Sequence, residues 1–218
     1  MINKPKGIYL EIQLAAETFF LLHHKAVYRP KNKQLILADL HLGKASHFRK
    51  KGIAMPAQSH LADLEKLSYL LRTWQPKSVL LLGDLFHSEY NREWLWFESL
   101  LKEYPEISFT LVMGNHDILP EKAYTIPNLK RSHLIEEKSL VFSHAPLDNP
   151  ATLNFCGHVH PGLQISGRAR ESFRLPCFYS GKNHFILPAF GALTGLFILE
   201  KEKNADYYLV TRDTLVKI

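Results

Sequence analysis

Apolar residues along this chain fall into short runs, and the polar residues closing each run carry more information than the run itself. Ile8, Leu10, Ile12 and Leu14 alternate with Tyr9, Glu11 and Gln13, the period of a half-buried strand. Residues 19–28, the polar stretch Arg29-Pro30-Lys31-Asn32-Lys33 and residues 35–38 predict a hairpin. Leu61, Leu64, Leu67, Leu71 and Trp74 recur at helical steps, which predicts an amphipathic helix over 58–74, stopped by Pro76. A second helix is expected over 92–104, with Trp94, Phe97, Leu100 and Leu101 toward the core and Pro105 ending it.

Five apolar runs end in polar residues of one chemical kind. Residues 35–38 lead into Asp39 and His41, 79–82 into Gly83-Asp84, and 109–113 into Gly114-Asn115-His116-Asp117. Residues 140–142 lead into Ser143-His144, and 153–156 into Gly157-His158-Val159-His160. Such runs are what strands buried on both faces look like, and helices between the early ones argue for βαβ units. Five strands are therefore expected to deliver their polar ends to one edge of a sheet, where open α/β sheets form their sites. After residue 160 the runs shorten to 163–165, 174–179, 184–187, 196–199 and 207–211, with Gly162, Gly167, Gly181, Gly191 and Gly195 between them. Antiparallel strands completing a second sheet are expected there.

Composition narrows the class. The 218 residues are 46% hydrophobic and 22% charged, ordinary globular usage that excludes disorder and low-complexity architectures, and one α/β domain over residues 1–218 is expected. No apolar stretch approaches the ~18 residues of a membrane span, and the opening MINKPKG has no apolar signal region. Cys156 and Cys177 make no disulfide framework and are expected as small buried hydrophobes in a cytoplasmic protein. The net charge of +6 suits a polyanionic partner without demanding one. Histidine, at twelve residues, is the unusual count.

The strand-end residues Asp39, His41, Asp84, Asn115, His144, His158 and His160 comprise two carboxylates, four imidazoles and one carboxamide. Imidazole suits zinc, iron, nickel and copper, while carboxylate and amide oxygens suit harder ions such as manganese. Seven ligands exceed what one catalytic ion uses, but they fit two ions if one carboxylate bridges. Two such ions hold a phosphoryl group and activate a shared water. His158 and His160 share one face on extended backbone, or divide between the ions in a turn. His116 is a spare imidazole suited to proton donation near neutrality, and Asp117 is a candidate for orienting an imidazole.

In order and spacing, Asp39-Leu40-His41, Gly83-Asp84, Gly114-Asn115-His116-Asp117, Ser143-His144 and Gly157-His158-Val159-His160 resemble the full motif set of the calcineurin-like metallophosphoesterases. Ala38-Asp39-Leu40-His41-Leu42-Gly43-Lys44, Gly83-Asp84-Leu85-Phe86-His87, Arg174-Leu175-Pro176-Cys177-Phe178 and Leu187-Pro188-Ala189-Phe190-Gly191 are similar to the ligase-associated branch of that superfamily. The resemblance implies a four-layer fold, two facing β-sheets with helices outside. It implies one ion on Asp39, His41, bridging Asp84 and His160, and a second on Asp84, Asn115, His144 and His158, with His116 as proton donor or transition-state stabiliser. It also implies a manganese-dependent phosphodiesterase, with zinc or iron as alternative metals. Such an enzyme acts on DNA single strands or 3′ ends in repair, alongside a DNA ligase and a helicase. A phosphatase or pyrophosphatase for small phosphoesters is the second reading, and a catalytically silent binding scaffold the third. Phe48, Arg49 and Lys50, close behind the first motif, are candidates for holding a phosphodiester backbone and an unpaired base. His87 stands where related enzymes often have an acidic residue and is either a site residue or a surface one. Arg168, Arg170 and Arg174 are a possible second basic patch, with a solvated face as the plain alternative.

Overall fold

In the computed structural model, residues 9–44, 52, 61–87, 90–167 and 171–218 are described. The first sheet is built from β1 (Tyr9–Leu14), β2 (Glu17–Leu22), β3 (Ala26–Arg29), β4 (Gln34–Leu37), β5 (Ser78–Leu82), β6 (Ser108–Val112) and β7 (Leu129–Ser132), in spatial order β1 to β7. The four N-terminal strands form an antiparallel meander, and β4 to β7 run parallel. Among the described residues, two α-helices lie between the parallel strands: α1 (Ala62–Trp74) between β4 and β5, and α2 (Arg92–Glu103) between β5 and β6. The side chain of Asn91 caps α2 by accepting from the Glu93 amide at 2.8 Å.

The second sheet comprises β8 (Ile135–Glu136), β9 (Leu140–Phe142), β10 (Leu153–Cys156), β11 (Pro161–Ser166), β12 (Ser172–Ser180), β13 (His184–Ile186), β14 (Phe197–Ile198), β15 (Asp206–Val210) and β16 (Leu215–Lys217). The two-sheet α/β sandwich inferred from the motif resemblance is thus the fold.

Two-residue periodicity decides which side each apolar residue serves. Leu35, Leu37, Val79 and Leu81 face the helices, where they meet Leu67, Leu71, Trp94, Phe97 and Leu101. Their neighbours Ile36, Leu80 and Leu82 face the other way, onto Phe142, Phe155, Phe178 and Phe185 of the second sheet. Continuous apolar runs are required because β4, β5 and β6 are covered on both faces. Both described helices lie over the first sheet; the second sheet carries a smaller cluster of Leu163, Cys177, Tyr207 and Leu209. Cys156 and Cys177 are buried free thiols, as expected. Trp94 is fully buried and Trp74 nearly so, while Trp96 lies partly exposed on α2.

Three expectations are corrected. The run over 19–28 is two strands rather than one arm of a hairpin, broken at His23-His24-Lys25, where Lys25 adopts a φ of 64°. The metal-type strand ends come from two sheets, not one: β4, β5 and β6 from the first, β9 and β10 from the second. The later strands are mixed rather than antiparallel, since β10 pairs in parallel with β9 and β13, and β11 with β14. Among the described residues, no helix is long and apolar enough to cross a membrane.

Candidate metal centre

Past their last strand residues, β4 and β5 stay in register through two bends. The Asp39 amide donates to the Gly83 carbonyl at 3.1 Å, His41 to Asp84 at 2.9 Å and Leu42 to Leu85 at 3.0 Å. Within these bends and the one after β10, Asp39, His41, Asp84, His158 and His160 take φ values of 55°, 49°, 49°, 67° and 54°. Left-handed backbone costs an L residue about 1–2 kcal/mol, so a cluster of five persists only where its surroundings dictate it. Such clustering is a mark of functional sites. Gly83, at φ 77°, abuts His144 so closely that a Cβ would enter the imidazole ring.

The bends bring the strand ends together as two groups, Asp39 with His41 and His160, and Asp84 with His144 and His158; within each, the ligand atoms lie within 4.8 Å of one another. In the first group, His41 Nε2 is 3.3 Å from His160 Nε2, which is 3.5 Å from Asp39 Oδ1. In the second, His144 Nε2 is 3.0 Å from His158 Nδ1, 3.1 Å from Asn115 Oδ1 and 3.4 Å from Asp84 Oδ1. Asp84 reaches both, because its Oδ2 lies 3.9 Å from His41 Nε2.

Two features of the donor set fit cations. Asp39 Oδ1 is fully buried and has no hydrogen-bond partner among the described residues, although a buried carboxylate oxygen is costly when left alone. His144 Nδ1 lies 3.0 Å from the Leu82 carbonyl, which can only accept, so Nδ1 carries the ring proton. His144 Nε2 is then the ring nitrogen turned toward His158 Nδ1, Asn115 Oδ1 and Asp84 Oδ1, a set of donor atoms that suits a cation. Burial, reinforced by Lys44 and by the imidazoles of His160, His87 and His116, pushes His41 down to about 2, which keeps it in the neutral form that ligates.

The remaining predicted residues sit around this core. His116 donates its amide to Asp84 Oδ1 at 2.9 Å, and its ring, 42% exposed, places Nε2 4.0 Å from Asp84 Oδ2. The Asp117 carboxylate does not orient an imidazole: it accepts from the backbone amides of Leu85 at 2.8 Å, Phe86 at 3.3 Å and Gly114 at 2.8 Å. It thus ties the bend after β5 to the bend after β6. Burial pushes this carboxyl up to about 6 against the opposing pull of those amides. His87 packs its ring 4.3 Å from His116 and 5.3 Å from His41, which puts it beside the site. Phe48, Arg49, Lys50, Arg168 and Arg170 lie outside the described residues. Glu93, on α2, has a role that the sequence does not suggest: it is buried and accepts from the Gly43 amide at 2.5 Å, just beyond the first motif. A single carboxylate at the start of a helix gives no sequence signal for such a role.

Residues 33–181 match the family model described as calcineurin-like phosphoesterase. Among solved structures, a nuclease MPE from Pseudomonas putida is similar at 26% identity and a TM-score of 0.80, covering 95% of this chain and 100% of its own. Yfce, a phosphoesterase from E. coli, is similar at 12% identity and a TM-score of 0.41, covering 85% of this chain and 97% of its own. No curated protein sequence matches the chain.

Proposed function

The chain belongs to the calcineurin-like phosphoesterase family and is a metal-dependent phosphoester hydrolase, and we propose that it cleaves phosphodiester bonds in DNA, at single strands or 3′ ends, during repair. The observation that carries the two-cation part is Asp84, a buried carboxylate with one oxygen toward His41 and the other toward His144. Asp39, His41 and His160 would hold one ion and Asn115, His144 and His158 the other, with Asp84 within reach of both groups. Paired ions supply charge neutralisation for phosphoryl oxygens and lower the pKa of a water. Manganese is the metal that the motif resemblance implies, and the imidazoles of the set suit zinc and iron as alternatives.

The chain's own residues do the rest. His116 has a half-exposed imidazole beside the site and is hydrogen-bonded through its amide to Asp84, and it delivers a proton to the leaving oxygen. Asp117 keeps that loop in place through the amides of Gly114, Leu85 and Phe86. His87, against His116, helps receive the substrate. Similarity over the whole length of a Pseudomonas putida nuclease supports a nucleic-acid substrate, as does the net charge of +6. A DNA ligase and a helicase are the proposed working partners, in the cytoplasm.

The test is purified protein with Mn²⁺ on labelled single- and double-stranded oligonucleotides, with 3′-phosphate controls and small phosphomonoesters alongside. Cleavage of single strands that stops on chelation is expected. Preferential monoester hydrolysis would favour a small-molecule phosphatase or pyrophosphatase, and absence of both metal and turnover a binding scaffold. Arg49 and Lys50 are proposed to hold the DNA backbone. Replacing both by alanine should flatten the dependence of log binding constant on log salt by about 0.7 per lost phosphate contact on single strands. An unchanged slope would move the contact elsewhere.

A further inference from the structure

The loop after β13 runs back along the first motif. The Phe190 amide donates to the Ala38 carbonyl at 2.8 Å, and the Gly191 amide to the Asp39 carbonyl at 3.0 Å. Asp39 thus has its N–H on Gly83 and its C=O on Gly191, one from each side of a left-handed residue. Gly191 permits this approach because a Cβ there would strike the Leu40 carbonyl.

Two charged side chains of α1, neither of them a candidate ligand, hold that loop in place. Lys66 Nζ donates to the Phe190 carbonyl at 2.5 Å and sits 3.8 Å from the centre of the Phe190 ring. Asp63 Oδ2 accepts from the Ala192 amide at 2.9 Å, and Asp63 Oδ1 pairs with Lys66 Nζ at 2.9 Å. Asp63 is buried and Phe190 fully so, which makes these charge-assisted bonds stronger than exposed ones. The pair grips residues 190 and 192, and the amides between and beside those grips end on Ala38 and Asp39. The Asn115 and His144 half of the centre is instead carried by the ends of β6 and β9.

We infer that Asp63 and Lys66 are positioning residues for one half of the metal centre, fixing the Asp39 backbone through the loop at 190–192 so that its carboxylate meets the cation shared with His41 and His160. The inference rests on the two-cation reading above. It also gives a physical role to Leu187-Pro188-Ala189-Phe190-Gly191, a stretch with no metal-type side chain: it is the brace between α1 and Asp39.

The experiment is manganese titration of the full chain, followed calorimetrically and by the spin signal of free Mn²⁺, on wild type, Lys66→Met and Asp63→Asn. Methionine keeps an apolar stem against Phe190 but loses the donor and the charge; asparagine keeps an acceptor for Ala192 but not the charge. Loss of outer contacts to a metal ligand typically weakens affinity about 10–100-fold. Lys66→Met should weaken one of two manganese steps by about that factor and the other less, because Asp39 Oδ2 also accepts the His158 amide, with Asp63→Asn weakening the same step by a smaller factor. At saturating manganese, kcat should return to the wild-type value. Unchanged affinities in both variants would overturn the inference. So would equal weakening of both steps with a lower melting temperature of the metal-free protein, which marks a general fold contact. If wild type bound fewer than two manganese ions per chain, the two-cation reading would fall; two ions in wild type with unaltered variants removes only the brace.

Discussion

Asp39→Asn is expected to lower metal-dependent phosphoester turnover by about a thousandfold while leaving the metal-free protein at least as stable as wild type. Asp39 Oδ2 accepts the His158 amide at 2.9 Å, a bond the asparagine oxygen keeps. Asp39 Oδ1, with no hydrogen-bond partner among the described residues, becomes an amide nitrogen that cannot ligate a cation. Metal ions contribute several kcal/mol of transition-state stabilisation, and each 1.36 kcal/mol is tenfold in rate, hence the size of the expected loss. The same change removes the desolvation cost of a fully buried carboxylate, so stability should hold or rise. Parallel measurement of turnover and of the metal-free melting temperature checks this. Activity that fell only in step with stability would make Asp39 a fold residue instead.

The second large effect is on stability. Arg29, on β3, is buried and forms two bidentate pairs, with Glu17 of β2 at 2.5 and 3.0 Å and with Glu137, beyond β8, at 2.9 and 2.7 Å. It therefore ties the first sheet to the second. Removing one partner of a buried ion pair costs about 3–5 kcal/mol. Because Glu137 remains 35% exposed, Arg29→Met should lie at the lower end, roughly 3 kcal/mol. The Arg29 guanidinium, hydrogen-bonded to Glu17, holds that carboxyl below its ordinary 4.5. Since the folded value is the depressed one, this stabilisation is complete above pH 4.5 and is lost as pH falls through the folded value. Urea unfolding of both proteins should show a gap that is full near neutrality and narrows in acid. A gap independent of pH would mean that packing, not the ion pair, sets the cost.

How far each feature is legible in the chain depends on how local its cause is. Residues 79–82 announce a strand buried on both faces because no polar side chain interrupts them, and Gly83-Asp84 directly after them marks its functional end. That logic holds for β4, β6, β9 and β10 as well, so the metal-type residues are legible from sequence. Sheet membership is not, because an apolar run says that a strand is covered but not by which element. The break at His23-His24-Lys25 is hidden because Lys25 takes a left-handed conformation without the glycine or asparagine that usually signals one. β7, reading Leu-Lys-Arg-Ser with two exposed residues, has too little periodicity to stand out. The buried roles of Arg29, Asp63, Lys66 and Glu93 depend on partners far along the chain, which residue type alone does not reveal.

The central claim is that Asp39, His41, Asp84, Asn115, His144, His158 and His160 together hold a pair of cations. Anomalous diffraction at the manganese edge, from crystals of the full chain equilibrated with Mn²⁺, tests it most directly. Two peaks per chain are expected, one among Asp39, His41 and His160 and one among Asn115, His144 and His158, with Asp84 contacting both. A single peak, or none at these atoms while manganese binds elsewhere on the chain, would contradict it.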